Sequence, residues 1–301
     1  MKYSIGIDIG GTKVAAGIVN EYGNLIQQVK VSSDPTNKET MFAKVVQCVE
    51  QLLDHSSIPK HEIYGIGAGV PGKVDRERGI AVYQNNLPWD NFPFMERLQK
   101  AIGIDKIAID NDVYMAAFAE WKKAEMANQE LLVYITISTG ISCSIIQDGE
   151  FIRGAGFAGE LGLIPVYSKL NSEALQRLEN AASGPAMQLQ ARKIYADDQV
   201  ITKDIFANYL TGDEEAQQLI EEMVFVLTQG VYTVSSLLDP NKIVFGGSVV
   251  THNPWLLELI KVKLQTYLLA EQIHILENME ISKLNNHQGI IGAGLRACVL
   301  S

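Results

Sequence analysis

The segment from Ile5 to Val14, Ile-Gly-Ile-Asp-Ile-Gly-Gly-Thr-Lys-Val, constrains the fold more than any other part of the chain. Its apolar residues alternate around Asp8, Gly10-Gly11 then make a turn, and a second alternating stretch follows, which predicts a β-hairpin. Exposed N–H groups of such a turn form a concavity that binds anions, and glycine lets the backbone approach them closely. The spacing is not that of a Walker A loop, which needs four residues before Gly-Lys-Ser/Thr and then a helix. An ordinary glycine turn gives the same pattern, so both interpretations stay open at this point. Three side chains of the segment suit Mg²⁺ and phosphate: Asp8, Thr12 and Lys13.

Length, charge and cysteine content exclude several classes of protein. With 301 residues, the chain is long enough for two domains. A net charge of −10 argues against non-specific nucleic-acid binding, which needs many Lys and Arg side chains on phosphates. No apolar run reaches the roughly 18 residues needed to span a bilayer, and no secretory signal is visible, so we expect a cytoplasmic protein. Cys48, Cys143 and Cys298 lie far apart without a Cys-x-x-Cys motif, so neither disulfides nor a zinc site are expected.

Hydrophobic periodicity predicts an α/β protein with an internal repeat. The strand, glycine turn and strand at Leu131–Ile152 repeat the layout of the first hairpin, which suggests two related domains, although two hairpins can share this pattern by chance. The predicted strands are Lys2–Ile9, Val14–Val19, Leu25–Val31, Ile63–Val70, 106–109, Lys242–Phe245 and one near 279–284. The predicted helices cover 39–55, about 113–127, most of 173–236, and Gly289–Leu300.

The predicted strand at 106–109 leads to Asn111-Asp112 at the expected start of a helix. Ligands of α/β sheets bind beyond the carboxyl ends of the strands, so these side chains are candidates for a substrate site. Asp112 would then act as general base for a hydroxyl group, and Asn111 would hold a neighbouring hydroxyl. A helix-capping role for Asp112 explains the same position as well.

Other polar residues in turns are candidates for binding several hydroxyl groups. Glu160 lies in the glycine-rich loop Arg153–Gly162, Glu179 opens a later segment, and Asn85-Asn86 lies in a turn. Both carboxylates would fit equally well as solvated surface charges. Gly246-Gly247 follows a short strand, where an adenosine would lie flat against the backbone, and a plain strand exit looks the same.

Seven short motifs follow one another along the chain. They are Asp8–Lys13, Gly67–Val74, Asn111-Asp112, Ser138–Ile141, Gly156–Gly162, Asp239-Pro240 with Gly246-Gly247, and Gly289–Ala293. In this order and spacing they resemble the ROK family of bacterial sugar kinases and sugar-responsive repressors. The likeness covers nearly the whole chain.

The resemblance implies an actin-like, ribonuclease-H-like fold of two α/β domains that bind ATP, Mg²⁺ and a hexose. One domain would comprise 1–115 plus 289–301, and the other 116–288. Asp8 would bind Mg²⁺ directly or through water, and Asp112 would take the proton from the 6-hydroxyl as it attacks the γ-phosphate. The residues expected at the nucleotide are Gly10, Gly11, Thr12, Lys13, Thr139, Gly140, Gly246 and Gly247. Those expected at the sugar are Gly72, Asn86, Asn111, Asp112, Glu160 and Glu179.

Two departures from the family pattern bear on metal content and ligand binding. Many relatives carry His at the position of Leu163, followed by a Cys-x-Cys-x4-Cys zinc cluster, whereas residues 164–184 hold no cysteine, so no structural zinc is expected. Leu163 also removes a polar group expected near the anomeric carbon, which either opens the pocket to β-glucosides or weakens glucose binding. Ser138, Ser142 and Cys143 stand where relatives often have glycine, which bears on phosphate affinity.

The expected function is ATP-dependent phosphorylation of a hexose or hexoside at its 6-hydroxyl, with glucose or a β-glucoside such as cellobiose as acceptor. N-acetylmannosamine kinase and fructokinase are the enzymatic alternatives. A sugar-sensing regulator is the alternative outside enzymes, and the position of Asp8 near the start disfavours it because ROK repressors place a DNA-binding module before this region. No nucleic-acid or membrane partner is expected. The resemblance and the apolar helices between 173 and 270 suggest a homodimer.

Overall fold

The computed structural model describes residues 1–84, 86–170 and 175–300. They form two compact units: unit 1 is made of Met1–Met126 with the segment from His287 onward, and unit 2 is made of Ala127–Asn286. The boundary expected after residue 115 falls inside the helix Asp112–Ala124, which packs against the C-terminal helix and therefore belongs to unit 1.

Strands and helices both occur throughout the described residues. In chain order, the strands are β1 (Tyr3–Ile9), β2 (Lys13–Asn20), β3 (Leu25–Ser32), β4 (Ile63–Val70), β5 (Lys73–Asp75), β6 (Ile80–Tyr83), β7 (Asp90–Phe92), β8 (Ile107–Asn111), β9 (Leu131–Ile137), β10 (Ile141–Gln147), β11 (Glu150–Phe151), β12 (Pro165–Tyr167), β13 (Leu175–Arg177), β14 (Lys242–Gly246) and β15 (Met279–Ile281). The α-helices are α1 (Lys38–Asp54), α2 (Phe94–Ile102), α3 (Asp112–Ala124), α4 (Leu178–Ala182), α5 (Gly184–Tyr195), α6 (Thr202–Thr211), α7 (Glu214–Leu238), α8 (Ser248–His252), α9 (Trp255–Gln265), α10 (His274–Glu277) and α11 (Gln288–Cys298). Short 3₁₀ turns cover Lys60–Glu62, Leu161–Leu163 and Ala270–Gln272.

Unit 1 is built on a five-stranded sheet in the order β3-β2-β1-β4-β8. The first three strands form an antiparallel meander, and β4 and β8 continue the sheet in parallel with β1. Successive side chains of a strand point to opposite faces. On β1 the buried Ile5, Ile7 and Ile9 pack in one cluster with the apolar face of α1, and this leaves Gly6 and Asp8 for the other face.

Helix α11 lies directly on that second face because the sheet presents glycines to it. A Cβ atom at Gly6 would overlap the carbonyl of Ile290, and one at Gly67 would overlap the carbonyl of Ala293. On its other side, Gly292 of α11 meets the carbonyl of Met115 in α3 with no space for a side chain. This close contact fixes the start of α11 over β1.

Helix α1 covers the first face of the same sheet. It begins at a capping box in which the Asn37 side chain accepts from the N–H of Thr40 and the Thr40 hydroxyl accepts from the N–H of Asn37. Each apolar side chain that it buries contributes about 1.5–3 kcal/mol before the entropy cost. These side chains, at helical spacing, are Met41, Phe42, Val45, Cys48, Val49 and Leu52. The helix predicted over 39–55 is confirmed.

Unit 2 repeats the sheet of unit 1. Its five strands lie in the order β11-β10-β9-β14-β15, again an antiparallel meander followed by parallel strands. Its separate core joins β9 and β14 to the 25-residue helix α7 and to α9. The internal repeat expected from the two hairpins is confirmed by this shared topology. The region 173–236 is mainly helical as predicted, but its described part also contains β13, which pairs with β12.

All three cysteines, Cys48, Cys143 and Cys298, are buried and free of disulfide bonds, as the sequence predicts. None of the helices in the described parts of the chain has the length and hydropathy needed to span a membrane.

Candidate active site

The turn of the first hairpin, Gly10–Thr12, is held from one side by the end of β3. The Gly10 N–H donates to the Lys13 carbonyl at 2.9 Å, and the Ser33 hydroxyl donates to the Gly10 carbonyl at 2.6 Å. The Ser33 N–H donates to the Thr12 carbonyl at 3.1 Å. The N–H groups of Gly11 and Thr12 make no hydrogen bond with the residues that the structure describes. Two donors in a fixed turn are therefore available to an anion.

Asp8 lies on β1 just before this turn and meets the first turn of α11. A Cβ atom at Gly289 would lie 2.8 Å from Asp8 Cγ, so only glycine leaves room for the carboxylate. Burial raises the pKa of Asp8, although the cations of Lys13 and Lys30 act in the opposite direction. A desolvated carboxylate gains more than a solvated one from a bound cation. Mg²⁺ is usually held by one or two carboxylates together with substrate phosphates, so Asp8 beside an anion-binding turn fits it.

His287 precedes α11 on the same side of unit 1. Its Nδ1 atom is buried and has no hydrogen-bond partner among the described residues. Burial lowers the pKa of His287, and the neighbouring Lys30 and Lys13 lower it further. A cationic neighbourhood with a buried imidazole nitrogen that lacks a partner also fits a phosphate group nearby. No sequence motif points to His287.

Asn86 lies next to the first hairpin turn. A Cβ atom at Gly11 would contact the Asn86 carbonyl at 3.2 Å and its side-chain nitrogen at 3.6 Å. The exposed Asn86, predicted for the sugar, and Gly11, predicted for the nucleotide, are therefore neighbours within unit 1. Asn85 of the same motif lies outside the described residues.

Asn111 is the last residue of β8 and the N-cap of α3. Its side-chain oxygen accepts from the N–H groups of Val113 at 2.9 Å and Tyr114 at 3.4 Å, and its amide nitrogen donates to the Gly72 carbonyl at 3.0 Å. The cap of α3 is therefore Asn111, and Asp112 is a partly exposed residue of the first turn. Asn111 keeps one amide hydrogen for a ligand. Its contact also fixes Gly72, which is predicted beside the sugar.

The turn of the second hairpin, Ser138–Gly140, is held at both ends by unit 2. The Ser138 carbonyl accepts from the Gly184 N–H at 2.8 Å, and the Ile141 N–H donates to Glu179 Oε2 at 2.9 Å. Thr139 is exposed, and neither its N–H nor that of Gly140 bonds to a described residue. This turn thus offers the same kind of anion site as the first.

The Gly246-Gly247 exit of β14 lies against the second hairpin. Gly246 pairs with Thr136 of β9, and Gly247 packs on the backbone of Ile137 without room for a Cβ atom. Predicted phosphate and adenosine residues are thus adjacent within unit 2.

A cavity of about 390 Å³ opens beside this glycine pair, between α6 and α8. Phe206, Leu210 and Val249 give it apolar walls, and His252 and Asn253 add polar groups. Apolar walls with a few polar atoms suit a ligand such as a purine. The Gly246-Gly247 motif directly precedes Ser248, which lines this cavity, whereas α6 carries no motif of its own.

Glu160 and Glu179 form a pair of carboxylates in unit 2. Burial raises the pKa of Glu160, and the charge of Glu179 raises it further, so the two groups are close enough to interact. The loop before Glu160 is fixed because the Gly159 carbonyl accepts from the Cys143 N–H at 2.7 Å. Leu163, at the end of the following 3₁₀ turn, is 46% exposed.

The described residues contain no group of three or more His, Cys, Asp or Glu side chains that could hold a metal ion. A Mg²⁺ ion bound mainly by phosphates and one carboxylate does not require such a group.

Residues 4–297 match the pattern of the ROK family. The chain belongs to the ROK family. A glucokinase from Halalkalibacterium halodurans is 28% identical over 97% of this chain and 94% of its own length. A beta-glucoside kinase from Listeria monocytogenes is 26% identical over 95% of this chain and 94% of its own length.

A solved ROK family glucokinase from Streptomyces griseus, in complex with glucose and AMPPNP, is 25% identical and has a TM-score of 0.80, with 97% of this chain and 98% of that chain covered. This match and the repeated sheet confirm the predicted actin-like class of fold.

Proposed function

We propose that the chain transfers the γ-phosphoryl group of ATP to the 6-hydroxyl of a hexose or hexoside. The observation that carries the proposal is the capping of α3 by Asn111, which assigns the capping role to that residue and leaves Asp112 in the first helical turn beyond the end of β8. A carboxylate in this place lies where α/β proteins bind their ligands. The glucokinase and beta-glucoside kinase relatives, aligned over 95% or more of the chain, support the same reaction.

Asp112 is the proposed general base. It accepts the proton of the 6-hydroxyl while the hydroxyl oxygen forms its bond to the γ-phosphorus. The bond from this phosphorus to the β–γ bridging oxygen breaks, and ADP leaves. A positioned base contributes roughly 10²–10⁴-fold to such a rate. The rest of the rate enhancement depends on alignment of the hydroxyl group with the γ-phosphate and on stabilisation of the developing charge.

The nucleotide residues are proposed from both hairpins. In unit 1 the N–H donors of Gly10–Thr12 and the Lys13 cation would bind phosphate oxygens. In unit 2 Thr139 and Gly140 would do the same, and the cavity beside Gly246-Gly247 would take the adenosine. Asp8 would hold Mg²⁺ directly or through water, and the ion would neutralise phosphate charge.

The sugar residues are proposed from turns in each unit. Asn86, Asn111 and the Gly72 segment would bind hydroxyl groups from unit 1, with donors as well as acceptors. Glu160 and Glu179 would accept hydroxyl hydrogens from unit 2. Amides and carboxylates together satisfy a polyhydroxylated ligand, because each hydroxyl both donates and accepts.

Glucose or a β-glucoside such as cellobiose is the proposed acceptor. The exposed Leu163 presents an apolar surface near Glu160, which favours an alkyl, aryl or glycosyl group at the anomeric carbon over a bare hydroxyl. N-acetylmannosamine and fructose are the competing acceptors. A cytoplasmic site of action, where ATP is available, belongs to the same proposal.

A homodimer is also proposed. Several large apolar side chains of unit 2 are exposed, which suits an interface with a second copy. They include Tyr232, Leu237, Val262, Tyr267 and Leu269. Light scattering after gel filtration tests it, and a monomer at micromolar concentration would reject it.

The test of the proposed activity is ADP release with glucose, cellobiose, an aryl β-glucoside, N-acetylmannosamine, N-acetylglucosamine and fructose. We expect sugar-dependent ADP formation, and NMR of the product should place the phosphate on carbon 6. Glucosides should be used at least as well as glucose. No sugar-dependent ADP with any acceptor would reject the kinase, and a strong preference for free glucose would reject the role of Leu163.

A further inference from the structure

Glu179, which is proposed to bind the sugar, also contacts the second hairpin turn, Ser138–Gly140, through its carboxylate. Its Oε2 accepts the N–H of Ile141 at 2.9 Å, at the residue where the turn becomes β10. A Cβ atom at Gly140 would lie 2.5 Å from the same Oε2 atom. The carboxylate therefore lies against the turn whose free N–H groups face outward.

The backbone that carries Glu179 is also anchored by contacts outside the hairpin. The neighbouring Leu178 is buried, packs against Gly230 of α7, and donates its N–H to the Ile164 carbonyl at 2.9 Å. The Glu179 carbonyl accepts from the Ser183 N–H at 3.1 Å. A carboxylate on an anchored backbone can position the more exposed turn, rather than follow it.

Only one oxygen of Glu179 is used in this contact. Oε1 makes no hydrogen bond with the residues that the structure describes, so it is available to a ligand hydroxyl. A hydroxyl on Oε1 and an N–H on Oε2 would together restrain both oxygens of one rigid group. When the carboxylate is held in this way, the turn that it contacts through Ile141 is held as well.

We propose that Glu179 is a positioning residue that couples acceptor binding to the order of the second hairpin turn and hence to nucleotide affinity. The inference rests on the proposed kinase function. By linkage, the factor by which the sugar strengthens nucleotide binding equals the factor by which the nucleotide strengthens sugar binding.

Glu160 is the matched control. It is the other carboxylate of the pair, but its side chain makes no hydrogen bond with any described residue. Removing Glu160 weakens only the contact with the acceptor. Removing Glu179 weakens that contact and also releases the Ile141 N–H.

The experiment measures AMPPNP affinity by calorimetry with Mg²⁺, with and without saturating glucose, in the wild type and three variants. We expect glucose to tighten AMPPNP binding at least about fivefold in the wild type, the lower end of typical coupling. Glu179→Ala should abolish this factor and weaken AMPPNP binding even without sugar. Glu179→Gln should keep the AMPPNP affinity, because its amide oxygen still accepts from Ile141. Glu160→Ala should weaken glucose binding but keep the coupling factor.

Hydrogen exchange at the Ile141 amide provides a readout that needs no activity. Glu179→Ala should speed this exchange on the order of tenfold, while Glu179→Gln and Glu160→Ala leave it within about threefold of the wild type. Equal protection in Glu179→Ala and wild type would overturn the positioning role, even if the protein were not a kinase. Sugar-dependent tightening that survives Glu179→Ala would overturn it as well. Absence of sugar phosphorylation with altered exchange would reject the proposed function alone.

Discussion

Replacing Gly289 by alanine tests whether Asp8 organises the metal. The new Cβ atom would lie 2.8 Å from Asp8 Cγ and 3.0 and 3.1 Å from its two oxygens, whereas ordinary contact begins at 3.4 Å. The carboxylate must therefore move by about 0.6 Å, because α11 is itself fixed by its backbone contacts with the sheet. No charge and no hydrogen-bonding group is removed by this substitution.

The size of the effect follows from that displacement. A misplacement of about 1 Å in a reacting group costs on the order of 100-fold in rate, so about 0.6 Å corresponds to roughly tenfold in kcat. Alanine is the better helix former by up to about 1 kcal/mol, so the helix itself is not weakened. A rate loss without loss of stability is the expected signature.

The assay is direct measurement of ADP at saturating ATP and sugar while Mg²⁺ is varied. We expect a higher Mg²⁺ concentration for half-maximal activity together with the lower kcat. Glu50→Ala is the control, since Glu50 is an exposed residue of α1. An Mg²⁺ dependence and kcat equal to those of the wild type in Gly289→Ala would refute the role of Asp8.

Three further outcomes are expected. Asp112→Asn should lower kcat by ~10²–10⁴-fold while sugar affinity, measured by calorimetry, stays within about threefold; near-normal turnover would contradict the general base. Glu179→Gln removes the charge that raises the pKa of Glu160, so Glu160 should become protonated at lower pH than in the wild type. Because sugar affinity falls when Glu160 is protonated, the pH at which affinity is lost should decrease in this variant. An unchanged pH dependence of sugar binding would contradict the carboxylate pair. Gly292→Ala places a Cβ onto a carbonyl of α3 and should destabilise unit 1 by about 1–3 kcal/mol in urea unfolding. The exposed substitution Glu50→Ala should change stability by less than about 1 kcal/mol, and equal stabilities of the two variants would contradict the packing of α11.

The fold can be predicted well because its signals are local. The strand predicted at Ile63–Val70 has the same bounds in the structure, and the terminal helix differs by one or two residues at its ends. Periodicity and glycine turns are properties of short segments, so the sequence reports them directly. The two hairpins also indicate the repeat, since each begins a sheet of the same order.

The domain boundary is harder to predict because it depends on a contact between distant segments. Helix α3 follows directly on a strand of unit 1, and its packing partner α11 lies at the other end of the chain. No local sequence feature near residue 115 indicates the contact between α3 and α11. The same reason explains why α6, which has no motif, is not expected from the sequence beside the Gly246-Gly247 exit.

For the candidate site residues, the sequence likewise identifies the residues but not the conformations of their side chains. The sequence marks Asn111 and Asp112 as a pair and suggests Asp112 as the helix cap, whereas the structure gives the cap to Asn111. The choice depends on a side-chain rotamer, which the order of residues does not determine. Once Asn111 turns its oxygen to Val113 and its nitrogen to Gly72, the two neighbours have different tasks. Asn111 joins a strand end, a helix start and a loop, so it fixes the place from which Asp112 projects. Replacing Asn111 should therefore displace Asp112 as well as remove the proposed sugar contact, and the loss in kcat should exceed the loss in sugar affinity.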